Sequence, residues 1–126
     1  MGSQEQKVII RPTSNENVRE YHTATQITDL PYAEFFQPMY GSLDSEFGNL
    51  GSKGKEIADQ LMDSRHEKTI SRITFRPFSV RVYKSPTADW AMVEAGIVIP
   101  ALKSAIGEDL KPLQYGTTKY REYALA

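Results

Sequence analysis

The chain has 126 residues, 15 Lys and Arg against 16 Asp and Glu, and a formal net charge of −1. That length suits one domain with its own core, and the near-neutral charge supplies no global pull toward nucleic acid or an anionic membrane. There is no cysteine, which excludes disulfides, thiolate metal or iron–sulfur ligation and a cysteine nucleophile within this polypeptide, and fits an expected cytoplasmic location.

Lys7-Val8-Ile9-Ile10-Arg11 is rich in β-branched residues and stops at Pro12, which has no N–H for a ladder. Thr13 to Asn17 is a polar turn, and Arg19 to Ile27 resumes as a strand, so the two runs predict a hairpin. Residues 28–51 hold Pro31, Pro38 and several glycines beside Leu30, Tyr32, Phe35, Phe36, Tyr40 and Phe47. So many aromatics predict that this segment packs on something, either as a flap extending the core or as a lid or docking surface. Within it, Asp29 to Phe36 reads as a short helix with Asp29 as N-cap and Pro31 in the first turn.

A helix is expected from an N-cap at Ser52 to about Arg65, with Ile57, Ala58, Leu61 and Met62 as its apolar stripe. Ile70 to Phe75 and Ser79 to Lys84 read as a second hairpin about Arg76-Pro77-Phe78. Ile73, Phe75, Val80 and Val82 share the core parity, while Arg72, Thr74, Arg76, Arg81 and Tyr83 take the other face. Asp89-Trp90 opens the last helix, which runs to a stop at Gly107. It carries one apolar stripe through Trp90, Val93 and Ile97 and another through Met92, Ala95, Ile99, Leu102 and Ile106, which predicts burial on two sides. Pro100 should kink or end it. Tyr115, Tyr120 and Tyr123 suggest that the tail packs, as an extra edge strand.

The apolar run Ala95 to Ala101 is too short to span a membrane. Gly2 to Lys7 is polar, so no secretory signal is expected, and Gln6 stands where myristoylation needs Ser or Thr. No membrane partner is expected.

The order hairpin, helix, hairpin, helix, together with particular residues, resembles the N-terminal domain of NifU-like (Nfu-type) scaffold proteins. The family opens with a strand and a Thr-Pro-Asn-Pro-Asn turn; here Thr13, Asn15 and Asn17 remain, without either proline. Its second hairpin turns at Phe-Gly-Pro-Asp and leads through a lysine to Asp-Trp, matched by Phe75-Arg76-Pro77-Phe78, Lys84 and Asp89-Trp90. The resemblance covers most of residues 7–106, with 28–51 as an aromatic insertion and 107–126 as an extra tail. It implies an α+β fold of ββαββα order, with a small antiparallel sheet from two hairpins and two helices on one face. In full-length members a separate C-terminal domain with a Cys-x-x-Cys pair binds the cluster. The resemblance therefore implies a stand-alone, cysteine-free version with an accessory role in iron–sulfur biogenesis, and an assembly factor or client as protein partner.

Few residues suggest other chemistry. Gly48 to Glu56 is glycine-rich before a helix, but its spacing misses a phosphate loop by one and Glu56 stands in place of Ser or Thr. Asp59, Asp63, His66 and Glu67 fall near one helix face, which is either solvated or able to hold a divalent cation; no metal or other cofactor is expected. No nucleophile–base–acid pattern stands out, so the expected function is non-enzymatic. Charge is uneven: residues 20–50 are acidic without Lys or Arg, and 65–84 are strongly basic. Either these complement each other within the domain, or a basic sheet face meets an acidic partner. The partner surface is expected at Arg72, Arg76, Arg81 and Tyr83 with Phe35, Phe36 and Tyr40. The alternative is an RNA- or small-ligand-binding module that uses the open sheet face or a pocket under residues 28–51. Tyr21 and Trp90 are expected in the core.

Overall fold

A computed structural model of the chain describes residues 6–37 and 47–114. The fold is α+β. Among the described residues, six strands form one mixed sheet in the order β3-β4-β5-β2-β1-β6. The strands are β1 (Lys7–Pro12), β2 (Val18–Thr23), β3 (Ala33–Phe36), β4 (Ile70–Arg76), β5 (Ser79–Lys84) and β6 (Lys111–Gln114). The expected hairpins β1–β2 and β4–β5 are both present, and β2 pairs antiparallel with β5 to join them. β6 runs parallel to β1 and forms one edge. Tyr115, Tyr120 and Tyr123 lie outside the described residues; the edge strand that precedes them is Lys111–Gln114.

Four expectations need correction, three of them in the first two-thirds of the chain. The Asp29–Phe36 segment is no helix: Ala33–Phe36 is strand β3, paired antiparallel with β4. Phe35 carries the change, because a strand sends it to the core while Phe36 faces out. Phe35 is buried, its ring edge-on to Phe47 at 4.9 Å and to Phe75 at 6.2 Å. The second strand ends at Thr23 rather than Ile27; Ile27 reaches the core from a loop pinned by its N–H to the Pro77 carbonyl at 2.7 Å. The first helix, α1, spans Gly51–Leu61, capped at Leu50 rather than Ser52 and followed by a 3-10 turn at Ser64–His66. It opens on Gly51 at φ +89°, where a side chain would be strained.

The sheet's inner face is apolar. Val8, Ile10, Tyr21, Ile73, Phe75, Val80 and Val82 lie buried there, against Ile57, Ala58, Leu61 and Met62 from α1. The second helix, α2, covers residues 90–106. It begins α-helical at Trp90–Val93, widens to a π turn at Glu94–Val98 and returns to α over Ile99–Ile106. The Ile99 N–H bonds the Glu94 carbonyl, five residues back. This extra residue per turn lets the chain pass Pro100, which has no N–H to return to Gly96, so the helix continues instead of ending. Burial on two sides is not what forms: Val93, Ile97, Val98, Ala101 and Leu102 are buried, whereas Met92 is 55% exposed. α1 and α2 both pack on the inner side, and the Met92–Ala95 stripe of α2 faces out.

Candidate functional site

Two groups of side chains stand apart from the core. The first is the sheet's outer face, where the strand register sets residues in rows. One row runs Phe36, Arg72, Tyr83, Val18. The next runs Glu34, Thr74, Arg81, Glu20, Arg11, and the third Arg76, Ser79, His22, Ile9. The Arg72 guanidinium lies over the Tyr83 ring at 4.4 Å and the Phe36 ring at 5.1 Å, and its charge meets Glu34. Arg81 donates to Glu20 through Nε at 2.9 Å and also through Nη2, and Glu20 in turn meets His22 Nε2 at 3.0 Å. Burial alone would raise the Glu20 carboxyl, but Arg81 and His22 outweigh it and hold the group below its ordinary value. Arg76 lies over Tyr32 at 5.8 Å. Between these rows is a depression of about 260 Å³.

Arg72, Arg76, Arg81 and Tyr83 thus share the outer face as expected, with Phe36, which is 55% exposed. Phe35 does not join them, because it belongs to the core, and Tyr40 lies outside the described residues. The face is also not simply basic. Glu20 and Glu34, both from the acidic part of the chain, sit across from arginines of the basic part. Glu20 could have been found from the sequence by writing β2 against β5. Glu34 could not, once its segment was read as a helix.

The second group is built on the turn between β1 and β2. The Thr13 hydroxyl lies 3.0 Å from the Asn15 and Val18 carbonyls, and the Asn15 side chain accepts from the Asn17 N–H at 2.8 Å. These bonds take up backbone groups that a five-residue turn would leave open. Asn17 accepts from Lys84 Nζ at 2.8 Å, and Trp90 Nε1 donates to the Glu16 carbonyl at 2.7 Å. Trp90 is thus only partly buried. Its ring faces Arg19 at 4.7 Å and Lys84 at 5.6 Å, and the group borders a notch of about 570 Å³. Beneath it, Glu94 accepts from Arg19 at 2.7 Å, the Tyr21 hydroxyl at 2.8 Å and Gln114 at 3.0 Å. Burial, then the Glu94 carboxylate, push the Tyr21 phenol far above its usual range, so it stays a donor. Thr13, Asn15, Asn17, Lys84 and Trp90, distant in sequence, form one bonded cluster.

The other motifs form no site. Lys55, in the glycine-rich entry to α1, pairs with Asp59 one turn on, at 2.7 Å. The helix ends before Asp63 and His66, and no cluster of three or more His, Cys, Asp or Glu able to hold a metal occurs among the described residues. No helix there is long and apolar enough to cross a membrane.

No family model matches the chain, and no curated protein matches it. Among solved structures, the chain is similar to protein SAV1430 from Staphylococcus aureus, at 16% identity and a TM-score of 0.44, over 79% of this chain and 96% of that one.

Proposed function

We propose that this protein is a non-enzymatic accessory domain that works by protein contact through the outer face of its sheet. The observation that carries this reading is the Arg72 guanidinium held between Tyr83 and the exposed Phe36. Arginine and aromatic side chains presented together on a sheet, with both helices on the other side, are the composition that binding hot spots favour. The clustering of Thr13, Asn15, Asn17, Lys84 and Trp90 supports the resemblance to the NifU-like N-terminal domain. On that basis the partner is an iron–sulfur assembly factor or client, and this cysteine-free polypeptide modulates it without ligating the cluster through thiolates.

The test is an affinity pull-down from the native lysate at low and high salt, with wild-type protein and an Arg72→Glu/Arg81→Glu variant whose folding is checked by circular dichroism. Loss of a specific protein with the variant is expected; an unchanged set of captured proteins would reject the outer face. The same guanidinium–ring stack favours a second reading, stacking of single-stranded RNA bases. Recovery of RNA that disappears at high salt, with no enriched protein, would put that reading first.

A further inference from the structure

The outer face has a division of labour among its arginines. Arg72 is engaged by Glu34 and Arg81 by Glu20. Arg76 has only the Tyr32 ring, and no carboxylate partner among the described residues. It is exposed at the rim of the 260 Å³ depression. At the floor is Thr74, 7% exposed, whose hydroxyl makes no hydrogen bond among the described residues. Ser79, directly across from Arg76 in the register, likewise has a hydroxyl that makes no hydrogen bond among the described residues. Both hydroxyls can therefore donate to an incoming acceptor at the depression they line. Two hydroxyl donors below and one uncompensated guanidinium above converge on one small space.

We propose that this depression is the anchor point for the partner, and that it takes a single carboxylate side chain, Asp or Glu, from an acidic protein segment. The inference rests on the reading of the outer face as a protein-contact surface and names the chemistry of that contact. Charge sets the choice: around the depression Arg72 and Arg81 are paired with Glu34 and Glu20, whereas the Arg76 guanidinium meets no carboxylate among the described residues. The space, about 260 Å³, accommodates a carboxylate side chain and is below the usual range for a ligand pocket, about 300–1,000 Å³. The flanking carboxylates add selection, because a run of crowded acids would meet Glu20 and Glu34 as like charges.

The experiment is a titration of the isotopically labelled chain with a short Glu-Ala repeat peptide, its Gln-Ala counterpart and polyuridine, followed by amide and arginine side-chain chemical shifts. Saturable shifts at Thr74, Arg76 and Ser79 are expected with the Glu-Ala peptide and not with the Gln-Ala one. Arg76→Gln should weaken that binding by about tenfold or more, as loss of a charge-assisted contact does. Thr74→Val, which keeps the shape but not the hydroxyl, should also weaken it, while Lys68→Gln in the loop before β4 should not. Binding that Arg76→Gln leaves intact, equal binding of both peptides, or shifts with polyuridine alone would each overturn the proposal. The pull-down separates the two levels: a protein lost with Arg72→Glu/Arg81→Glu but retained by Arg76→Gln would keep the contact surface and reject the carboxylate anchor.

Discussion

Glu20 shows how one side chain can tie a face together and make it sensitive to acid. It bonds Arg81 on one side and His22 on the other, and its carboxyl is held below the ordinary value of 4.5. A depressed carboxylate stabilises the fold fully above its unfolded value, and that contribution is lost as pH falls through the folded value. Wild type should therefore exceed Glu20→Gln in stability at neutral pH, and the gap should close below about pH 4.5; urea titrations of both proteins across that range measure it. Gly54 makes a different kind of demand. A Cβ there would sit 2.6 Å from the Leu50 Cβ and 3.0 Å from the Ile27 carbonyl oxygen. Gly54→Ala should destabilise by about 1–3 kcal/mol in spite of its better helix propensity, and a rise in the denaturant midpoint would show that the α1 entry yields.

At the level of elements, β3 separates two neighbouring phenylalanines that composition treats alike. Phe35→Ala removes a ring held against Phe47 and Phe75 and should cost about 3–5 kcal/mol, whereas Phe36→Ala should change stability by less than about 0.5 kcal/mol. Thermal melts of the two variants test this, and equal losses would mean that β3 is misregistered. This strand also marks where sequence reading failed. Period-two alternation made β4 and β5 legible, because Ile73, Phe75, Val80 and Val82 all share one buried face. In Tyr32 to Phe36 polar and apolar residues do not alternate, and an Asp followed by a proline suggested a helix start. Pairing with β4 then overrode local preference. The same limit applies to α2: its apolar circumference was legible, but the side left outside depends on a π turn that no periodicity announces.

For the whole molecule, the α+β class and the two hairpins follow from alternation and turn chemistry, while the sheet's outer strands do not. The tyrosines of the tail suggest an extra edge strand, but β6 itself is short and carries Pro112, so its own residues do not mark its position. It is held by register with β1, by the Lys111 N–H to the Gln6 carbonyl at 2.7 Å and by Gln114 on Glu94. Of the candidate site, the arginines, Thr74 and Tyr83 were legible from parity, whereas the carboxylates became visible only once strands were paired. Truncation after Gly107 should leave the β4–β5 hairpin protected while β1 amides exchange much faster with solvent, and uniform exchange would show that the sheet unfolds as a single unit.

The β1–β6 pairing also has a consequence in time. During synthesis β1 can pair with β2 as soon as both have emerged, yet its other edge has no neighbour until residues 111–114 have been made. From the emergence of β1 until that of β6 the nascent chain carries an open, β-branched strand edge, the kind of surface that recruits a second nascent chain. Synonymous codons that slow elongation just before β6 would lengthen that exposure, and the yield of unaggregated protein should fall with no change in the amino-acid sequence.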